Sequence, residues 1–350
     1  MKTILTIFIA LLTGFGLSAQ TDKASREKYY SQSFTLKNLN ELVVSNQYGT
    51  IDVTQTDSAN ISVKATIAII AKNMSKADEM LDFIDIEDDF KEGILSISTK
   101  LTKDMSFSTM FKGITISVDY VIAVPQGVKL RLVNNEGNVF VADFQGDLNV
   151  DVKNSNFKAT KLQGEFKIKQ IGGEFNVGNV DFMDGEFKNT DLTLDDAFEV
   201  NVNLTGGKSN FKVAEKLNIK SNSGEVKVGE VEKMTGISSG TKFVVSDVGD
   251  ALKMEMNRGS INVGNIHFNF ASVDIKATYS KIGLTFMKDA GYQLDITQNR
   301  NLKTDIPSNF KLTEQLTATK NVIRRTGFIG NKDYNAFVNL DIRYGNIYIQ

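Results

Sequence analysis

The amino-acid sequence predicts an all-β protein that folds as a β-solenoid, with one short helix near its N-terminus. Two columns of apolar residues recur with a period of about 18 residues, and a single residue of variable character separates them. Apolar–variable–apolar is the pattern of a strand with one buried face. Glycines punctuate the strands where turns are needed. Short strands repeated at a fixed period are typical of a solenoid, in which stacked units bury one continuous core.

The two columns are the residues expected to form this core. The first column contains Val139, Phe157, Phe175, Leu192, Phe211, Val226, Phe243, Ile261 and Ile282. The second column, two residues later, contains Val141, Ala159, Val177, Leu194, Val213, Val228, Val245, Val263 and Leu284. An antiparallel sandwich or barrel also has short strands at regular spacing. It would not normally keep one residue type at one phase over nine units, so the solenoid is the favoured fold.

The residues between the columns are expected to point outward. They are Phe140, Lys158, Asn176, Thr193, Lys212, Lys227, Val244, Asn262 and Gly283. A second short strand in each unit adds an outward column of Asn149, Lys167, Glu199, Asn218, Lys253 and Asp274. A mixed polar surface of this kind keeps a solenoid hydrated, and it is equally suited to contact a glycan or another protein. The sequence does not distinguish these two roles.

The segment 1–19 has the pattern of a secretory signal peptide. In "MKTILTIFIALLTGFGLSAQ", Lys2 precedes an apolar run, and Ser18 and Ala19 supply a small-residue cleavage site. A buried N-terminal helix is the alternative. The run is too short to span a bilayer comfortably, so the mature chain is expected to be exported without an integral membrane span. An exported chain without cysteine is typical of a bacterial envelope, which predicts the periplasm or cell surface of a gram-negative bacterium.

The flanks of the repeat are expected to cap it within one elongated domain. Residues 20–130 contain predicted strands at 34–36, 41–46, 50–53, 60–70, 93–101 and 113–124. A helix is predicted over 75–84, with Ser75 as its N-cap and with Ala77, Met80, Leu81 and Ile84 on one face. The apolar loop 102–112 is expected either to be a mobile contact surface or to fold onto the first repeat of the solenoid. The repeats occupy 131–286, and the cap at 287–350 contains a long polar connection before its closing strands.

The residue types present exclude several chemistries. The chain has no cysteine, and His267 is its only histidine, which excludes disulfides, thiol catalysis and sites that need two histidines. The formal net charge of −2 lacks the basic footprint of a nucleic-acid-binding protein. No Gly-rich calcium-binding repeat is present, and "TGGKS" at 205–209 has the wrong spacing for a phosphate loop and is interpreted as a turn.

One acidic cluster has both a catalytic and a structural interpretation. "NTDLTLDD" at 189–196 brings together Asp191, Asp195 and Asp196, and paired carboxylates serve glycoside hydrolysis as acid and base. The motifs of β-helical pectin hydrolases do not accompany it, so a polar turn is the favoured interpretation. A lone histidine such as His267 is more often structural than catalytic. We therefore assign no catalytic residue, no cofactor and no metal ligand, and the binding residues remain unassigned.

Three segments resemble a known family. "VVSNQYGTIDV", "ISVDYVIAVPQGVKLRLVNNEGNV" and the closing "LDIRYGNIYI" are similar to bacterial envelope families described as putative adhesins of unknown function. These are the strand-repeat family and its relatives called auto-transporter adhesin head-domain-like. The resemblance covers most of the mature chain. It implies a single-stranded, right-handed parallel β-helix in an extracytoplasmic location, and it supplies no catalytic residues.

Together these observations predict a non-enzymatic, exported protein of the cell envelope. Its solenoid is expected to present a rigid, adhesin-like surface that binds glycan or protein. The expected partner is an envelope protein or a polysaccharide, and not nucleic acid. The alternatives are a periplasmic partner in envelope-stress signalling and a polysaccharide-active β-helix enzyme, the latter resting on fold analogy alone.

Overall fold

The computed structural model of the chain describes residues 23–35, 37–101, 113–331 and 335–350. These residues form 21 β-strands and one α-helix, which confirms the all-β class predicted from the sequence. The expected signal peptide at 1–19 and the predicted loop at 102–112 lie outside the described residues. The chain divides into two compact units, which meet between Lys167 and Ile168 in sequence.

The first unit is built around one long central strand. Its elements are β1 Ala24–Phe34, β2 Glu41–Thr56, β3 Ile61–Ala71, α1 Met74–Leu81, β4 Ile84–Lys91, β5 Ile94–Leu101, β6 Thr115–Pro125, β7 Lys129–Val141, β8 Phe144–Gln145 and β9 Leu148–Ile171. Strand β2 pairs in parallel with β7 along one edge and with β5 and β6 along the other. Strand β7 pairs in turn with β9, and Leu130 is the partner of Leu148 in that register. Antiparallel strands flank this arrangement, as β1 pairs with β3, β3 with β6, and β4 with β5.

The helix begins and ends earlier than the sequence predicted. Asn73, and not Ser75, is the N-cap, because its backbone is extended and its side-chain oxygen accepts a hydrogen bond from the Lys76 amide at 2.9 Å. Ala77 and Met80 are buried, as predicted for the inward face. The helix ends at Leu81 because Ile84 already belongs to β4, where it pairs with Leu101.

Two outer strands of the first unit were missed. Strand β1 was predicted only as a short strand at 34–36, and β4 was not predicted. Along β1 the side chains alternate between half-buried and exposed, and only the last, Phe34, is buried. Strand β4 carries the acidic run "IDIEDDFK" and buries only Ile84. Outer strands with little burial lack the apolar alternation on which strand prediction depends.

The second unit stacks parallel strands at a nearly constant spacing. Its elements are β10 Glu174–Lys188, β11 Asp191–Thr205, β12 Lys208–Asn222, β13 Glu225–Ser239, β14 Lys242–Ile266, β15 Ser272–Phe286, β16 Tyr292–Asn299, β17 Thr304–Asp305, β18 Lys311–Thr319, β19 Val322–Ile329, β20 Phe337–Arg343 and β21 Asn346–Ile349. Glu174 pairs with Asp191, Lys208 with Glu225, and Glu225 with Lys242, so these partners are separated by equal steps along the chain. The step is longer between β14 and β15, where Ile261 pairs with Ile282. The parallel register therefore carries the period that the sequence displays.

The register corrects the predicted columns at one unit. Leu192 pairs with Ser209, and Leu194 pairs with Phe211, so Phe211 belongs to the second column and Ser209 to the first. Val213, predicted to be inward, is 42% exposed. The sequence already contained a sign of this error, because the predicted column leaves a long gap before Phe211 and a short gap after it. The paired strands are evenly spaced on both sides. The other predicted column members are buried.

A corner with left-handed backbone recurs at the same phase of the repeat. The left-handed positions are Tyr48, Glu136, Asn154, Gly172, Asn189, Gly206, Ser223, Gly240, Arg258, Tyr279 and Tyr344. Each is followed by glycine, serine or threonine. The reason is a close approach of neighbouring backbones: a Cβ at Gly207 would lie 2.2 Å from the carbonyl oxygen of Thr190. The recurring small residues of the sequence thus mark a stacked corner within each unit.

The C-terminal region contains a hairpin that follows the predicted polar connection and for which no strand was predicted. Strands β18 and β19 pair antiparallel, and β19 pairs antiparallel with β16. Every residue of β18 is exposed, so it carries no apolar alternation. The predicted closing strands are confirmed as β20 and β21, which pair in parallel with β15 although the hairpin lies between them in sequence.

Candidate binding groove on the outer face of β20, β16 and β19

A groove lies on the outer face of the sheet formed by β20, β16 and β19 in the second unit. Alternation along each strand builds it, because Val338 and Leu294 are buried while Phe337, Asn339 and Gln293 are exposed. The groove encloses about 750 Å³, which is within the range of ligand pockets. Its lining residues are Gln293, Leu294, Asp295, Thr313, Arg324, Thr326, Gly327, Phe328, Phe337, Val338 and Asn339.

Strand register places an aromatic row across one side of the groove. Gln293 of β16 pairs with Phe337 of β20 on one side and with Phe328 of β19 on the other. Two phenylalanines therefore flank one amide side chain in a single row. Phe337 is 49% exposed. The ammonium group of Lys311 lies 5.3 Å from the centroid of the Phe328 ring, in a cation–π contact.

The adjacent row, two residues further along each strand, is polar. Asp295 pairs with Asn339 on one side and with Thr326 on the other. Asn339 pairs in turn with Asp274 of β15, and its amide nitrogen donates a hydrogen bond to the Asp274 carboxylate at 2.9 Å. A smaller hollow of about 290 Å³ adjoins this row and shares Asn339 with the groove. Amide, hydroxyl and carboxylate groups are thus aligned along a rigid sheet.

An ion pair fixes the carboxylate at the centre of the groove. The Arg324 Nε donates to both carboxylate oxygens of Asp295 at 3.0 Å, and its Nη2 donates to Oδ2. This pairing raises the pKa of Arg324 further above its ordinary value, because the guanidinium is hydrogen-bonded to a carboxylate. The two-point contact holds the Asp295 carboxylate in one orientation.

A ladder of outward polar side chains approaches the groove along the sheet. The Asn201 amide donates to Asp184 at 3.0 Å, and the Asn218 amide donates to Asn201 at 2.8 Å. Register extends this row to Thr235, Lys253, Asp274 and Asn339. Asn201 holds the place in this row that the sequence assigned to Glu199. Glu199 stands two residues away, where it pairs with Lys216. Lys212 is likewise replaced in the other outward column by Asn210, which pairs with Thr193 and Lys227.

The acidic group singled out in the sequence is not a turn. Asp191, Asp195 and Asp196 lie in strand β11. Asp191 accepts a hydrogen bond from the Lys208 amide at 3.2 Å, and Asp195 forms an ion pair with Lys212 at 2.6 Å. These contacts give two of the carboxylates roles in stabilising neighbouring strands.

His267 and the segment 205–209 are the two other candidates taken from the sequence. His267 is half-buried beside a separate acidic hollow lined by Glu230, Glu232 and Asp247. The predicted turn at 205–209 is confirmed, with left-handed backbone at Gly206 and Gly207. Within the described ranges, no group of three or more acidic, histidine or cysteine side chains is arranged to hold a metal ion.

Sequence reasoning missed the groove because it read a polar connection around 297–310 and predicted no strand between 287 and 335. The signal that could have found it is the alternation of Tyr292, Leu294 and Ile296, all of which are buried in β16. The pairing of β20 with both β15 and β16 joins residues distant in sequence. No local pattern predicts such a contact.

The chain is similar to several solved structures at low sequence identity. No family model and no curated protein matches the chain. The chain is similar to a solved structure described as a putative lipid binding protein from Parabacteroides distasonis, with 16% identity, 73% of this chain and 93% of that chain covered, and a TM-score of 0.35. It is also similar to putative adhesins from Parabacteroides distasonis (11% identity, 92% and 97% covered, TM-score 0.36) and Parabacteroides merdae (16% identity, 73% and 92% covered, TM-score 0.29).

The name "putative adhesin" is therefore shared between these solved structures and the family that the sequence resembles. In the part of the chain that the structure describes, no helix is long and apolar enough to cross a membrane.

Proposed function

We propose that this protein is a non-enzymatic, exported protein of a gram-negative cell envelope that binds a glycan or another protein, as adhesins do. The observation that carries this proposal is the groove between Phe337, Asn339, Asp295 and Phe328, set in a face of rigid strands. A concave site with convergent polar groups and exposed aromatic rings is the usual form of a binding site. The polar ladder that leads to it extends the surface available to a long or repetitive partner.

The proposal includes a right-handed, single-stranded β-solenoid for β10 to β15. The regular parallel register supports the solenoid, because each strand pairs with the equivalent strand of the next repeat. Parallel strands joined within one sheet are connected in a right-handed sense in nearly all proteins, which favours this hand. Such a scaffold presents its outer side chains at fixed spacing, which suits binding to an extended surface.

Export is supported by the N-terminal pattern of the sequence. Lys2, the apolar run and the small residues at Ser18 and Ala19 form a secretory leader. The absence of enzyme activity is supported by the surroundings of the acidic residues, since Asp195 is neutralised by Lys212 and Asp295 by Arg324. Both carboxylates thus have structural partners on a neighbouring strand.

Binding by the purified mature chain, residues 20–350, tests the proposal. We expect saturable binding to isolated envelope material from the producing bacterium, and we expect a deletion strain to lose surface attachment or envelope integrity. A deletion strain that is normal in both respects, together with no saturable binding, would contradict the proposal. Capture of an inner-membrane signalling protein as the sole partner would instead favour a role in envelope-stress signalling.

A further inference from the structure

We infer that the groove between the aromatic row and the Asn339–Asp295–Thr326 row binds a neutral saccharide. The inference rests on the proposed function and deepens it, because it names the chemical class of the partner and the residues that contact it. Two kinds of group meet in this groove: the phenylalanine rings of exposed Phe337 and half-buried Phe328, and planar polar side chains held by neighbours. A sugar ring presents the complementary pair, namely apolar C–H faces and a rim of hydroxyls.

The aromatic row supplies the apolar contact. Phe337 and Phe328 lie on strands two positions apart, which places their backbones about 10 Å from one another. Phe337 is 49% exposed, and a side chain of this size gains from covering by an apolar surface. Lys311 already contacts the Phe328 ring, so Phe337 offers the larger free apolar area.

The polar row supplies hydrogen bonds of both kinds. Asp295 accepts, Arg324 donates, and the Asn339 amide and the Thr326 hydroxyl can do either. Arg324 fixes the Asp295 carboxylate, and Asp274 fixes the amide nitrogen of Asn339, which leaves the amide oxygen as an acceptor. Groups oriented before binding lose little conformational entropy when a ligand arrives. Sugar hydroxyls both donate and accept, so they suit this mixture.

The charges favour a neutral ligand. Among the described residues that line the groove, Asp295 and Arg324 are the charged ones, and they are paired with each other. The lining itself therefore offers no unpaired charge to an anionic or a cationic sugar, and the Lys311 ammonium outside it already contacts the Phe328 ring. An extended peptide that adds a strand is disfavoured over the floor of the groove, because β20, β16 and β19 each pair on both sides.

A glycan array gives a direct test. The mature chain is applied to immobilised neutral oligosaccharides of glucose, galactose, mannose and N-acetylglucosamine, beside Phe337→Ala, Asn339→Ala and Thr326→Val. The control is Phe268→Ala, which removes another exposed phenylalanine, 64% exposed, from outside the groove. We expect the unchanged chain and the control to bind one class of saccharide. Each groove variant should weaken that binding roughly tenfold or more.

The outcomes separate this inference from the proposed function. Equal binding by all the variants would overturn the assignment of the groove. If no neutral saccharide binds, the ligand class is wrong, and persistent saturable binding to envelope material would leave the proposed function standing. If the unchanged chain binds neither a neutral saccharide nor envelope material, both the inference and the proposed function are wrong. Thermal unfolding of each variant confirms that it is folded. Three substitutions at separate positions, two of them exposed and Thr326 half-buried, protect the test against one that misfolds.

Discussion

The rings of Tyr279 and Tyr344 stack with their centroids 5.0 Å apart and their planes inclined by 14°. Both residues have left-handed backbone, with φ of 52° and 53°, and both occupy the recurring corner of the second unit. They are neighbours because β15 pairs directly with β20 and β21, although the groove-forming strands β16 and β19 lie between them in sequence. The strands β16 to β19 are thus inserted, in sequence, between two strands that are neighbours in the sheet.

The close approach at the corner predicts which glycines are essential. A Cβ at Gly259 would lie 2.3 Å from the Thr241 carbonyl oxygen, so Gly259→Ala forces two backbones apart. We expect it to lower the free energy of unfolding by about 3 kcal/mol, as overpacking does. Urea denaturation measures this change.

Gly240→Ala is the matched control for Gly259→Ala. Gly240 has φ of +69°, but a Cβ there would meet nothing within 4 Å. Its substitution should cost only the backbone strain, roughly 1 kcal/mol. Equal losses at Gly240 and Gly259 would contradict the close approach.

The left-handed corner also predicts a stabilising substitution. Arg258 is exposed and has φ of 57°, a conformation that costs a non-glycine residue about 1–2 kcal/mol. Arg258→Gly should therefore raise the melting temperature, with the gain reduced by the greater freedom of glycine in the unfolded chain. Arg258→Ala keeps the strain and serves as the comparison. A lower melting temperature for Arg258→Gly than for Arg258→Ala would show that the corner has another backbone conformation.

The register of β11 and β12 predicts unequal effects for two nearby residues. Phe211 is fully buried beside Leu194, so Phe211→Ala should cost about 3–5 kcal/mol in the free energy of unfolding. Val213 is 42% exposed, so Val213→Ala should change it by about 0.5 kcal/mol or less. Chemical denaturation of the two variants decides between this register and the columns read from the sequence, which place both side chains inside.

A buried tyrosine in the first unit predicts loss of stability in alkali. Tyr120 is fully buried, and its hydroxyl lies 2.9 Å from that of Thr99. Burial raises the pKa of Tyr120 to about 12 from an ordinary value of 10.0. The unfolded chain therefore ionises first as the pH rises. The stability contributed by neutral Tyr120 is complete below pH 10 and is lost between pH 10 and about 12.

Tyr120→Phe tests this pH dependence. The variant should be about 1 kcal/mol less stable at neutral pH, because the hydrogen bond to Thr99 is lost. Its stability should then fall less steeply than that of the unchanged chain between pH 10 and about 12. Denaturation curves at several pH values give the two slopes. Parallel slopes would mean that Tyr120 ionises normally in the folded chain.

The sequence predicted the fold where one face of a strand is buried. The repeated apolar pairs, such as Phe175 with Val177 and Ile282 with Leu284, carry that signal, and both pairs are buried. Phe211 was misplaced because residue type was given more weight than spacing, although backbone pairing keeps the spacing even from β11 to β13. The left-handed corners at Glu136, Arg258 and Tyr279 were not predicted, since none of these residues marks such a conformation by its own preference.

The candidate site was less predictable than the core. Strand β18 has no buried residue, and its position depends on pairing with β19. Asp295 and Arg324 meet across an antiparallel pair, although they are distant in sequence. Tertiary pairing of this kind determines the groove, whereas local periodicity determines the core.

Protease treatment of intact cells tests the central claim most directly. The producing bacterium is exposed to an external protease, and this protein and a periplasmic control are then detected by immunoblotting. An exported, adhesin-like binding protein should be digested while the control remains intact. Protection of this protein until the outer membrane is opened would contradict display at the surface, and recovery in the cytoplasmic fraction with its leader uncleaved would contradict export itself.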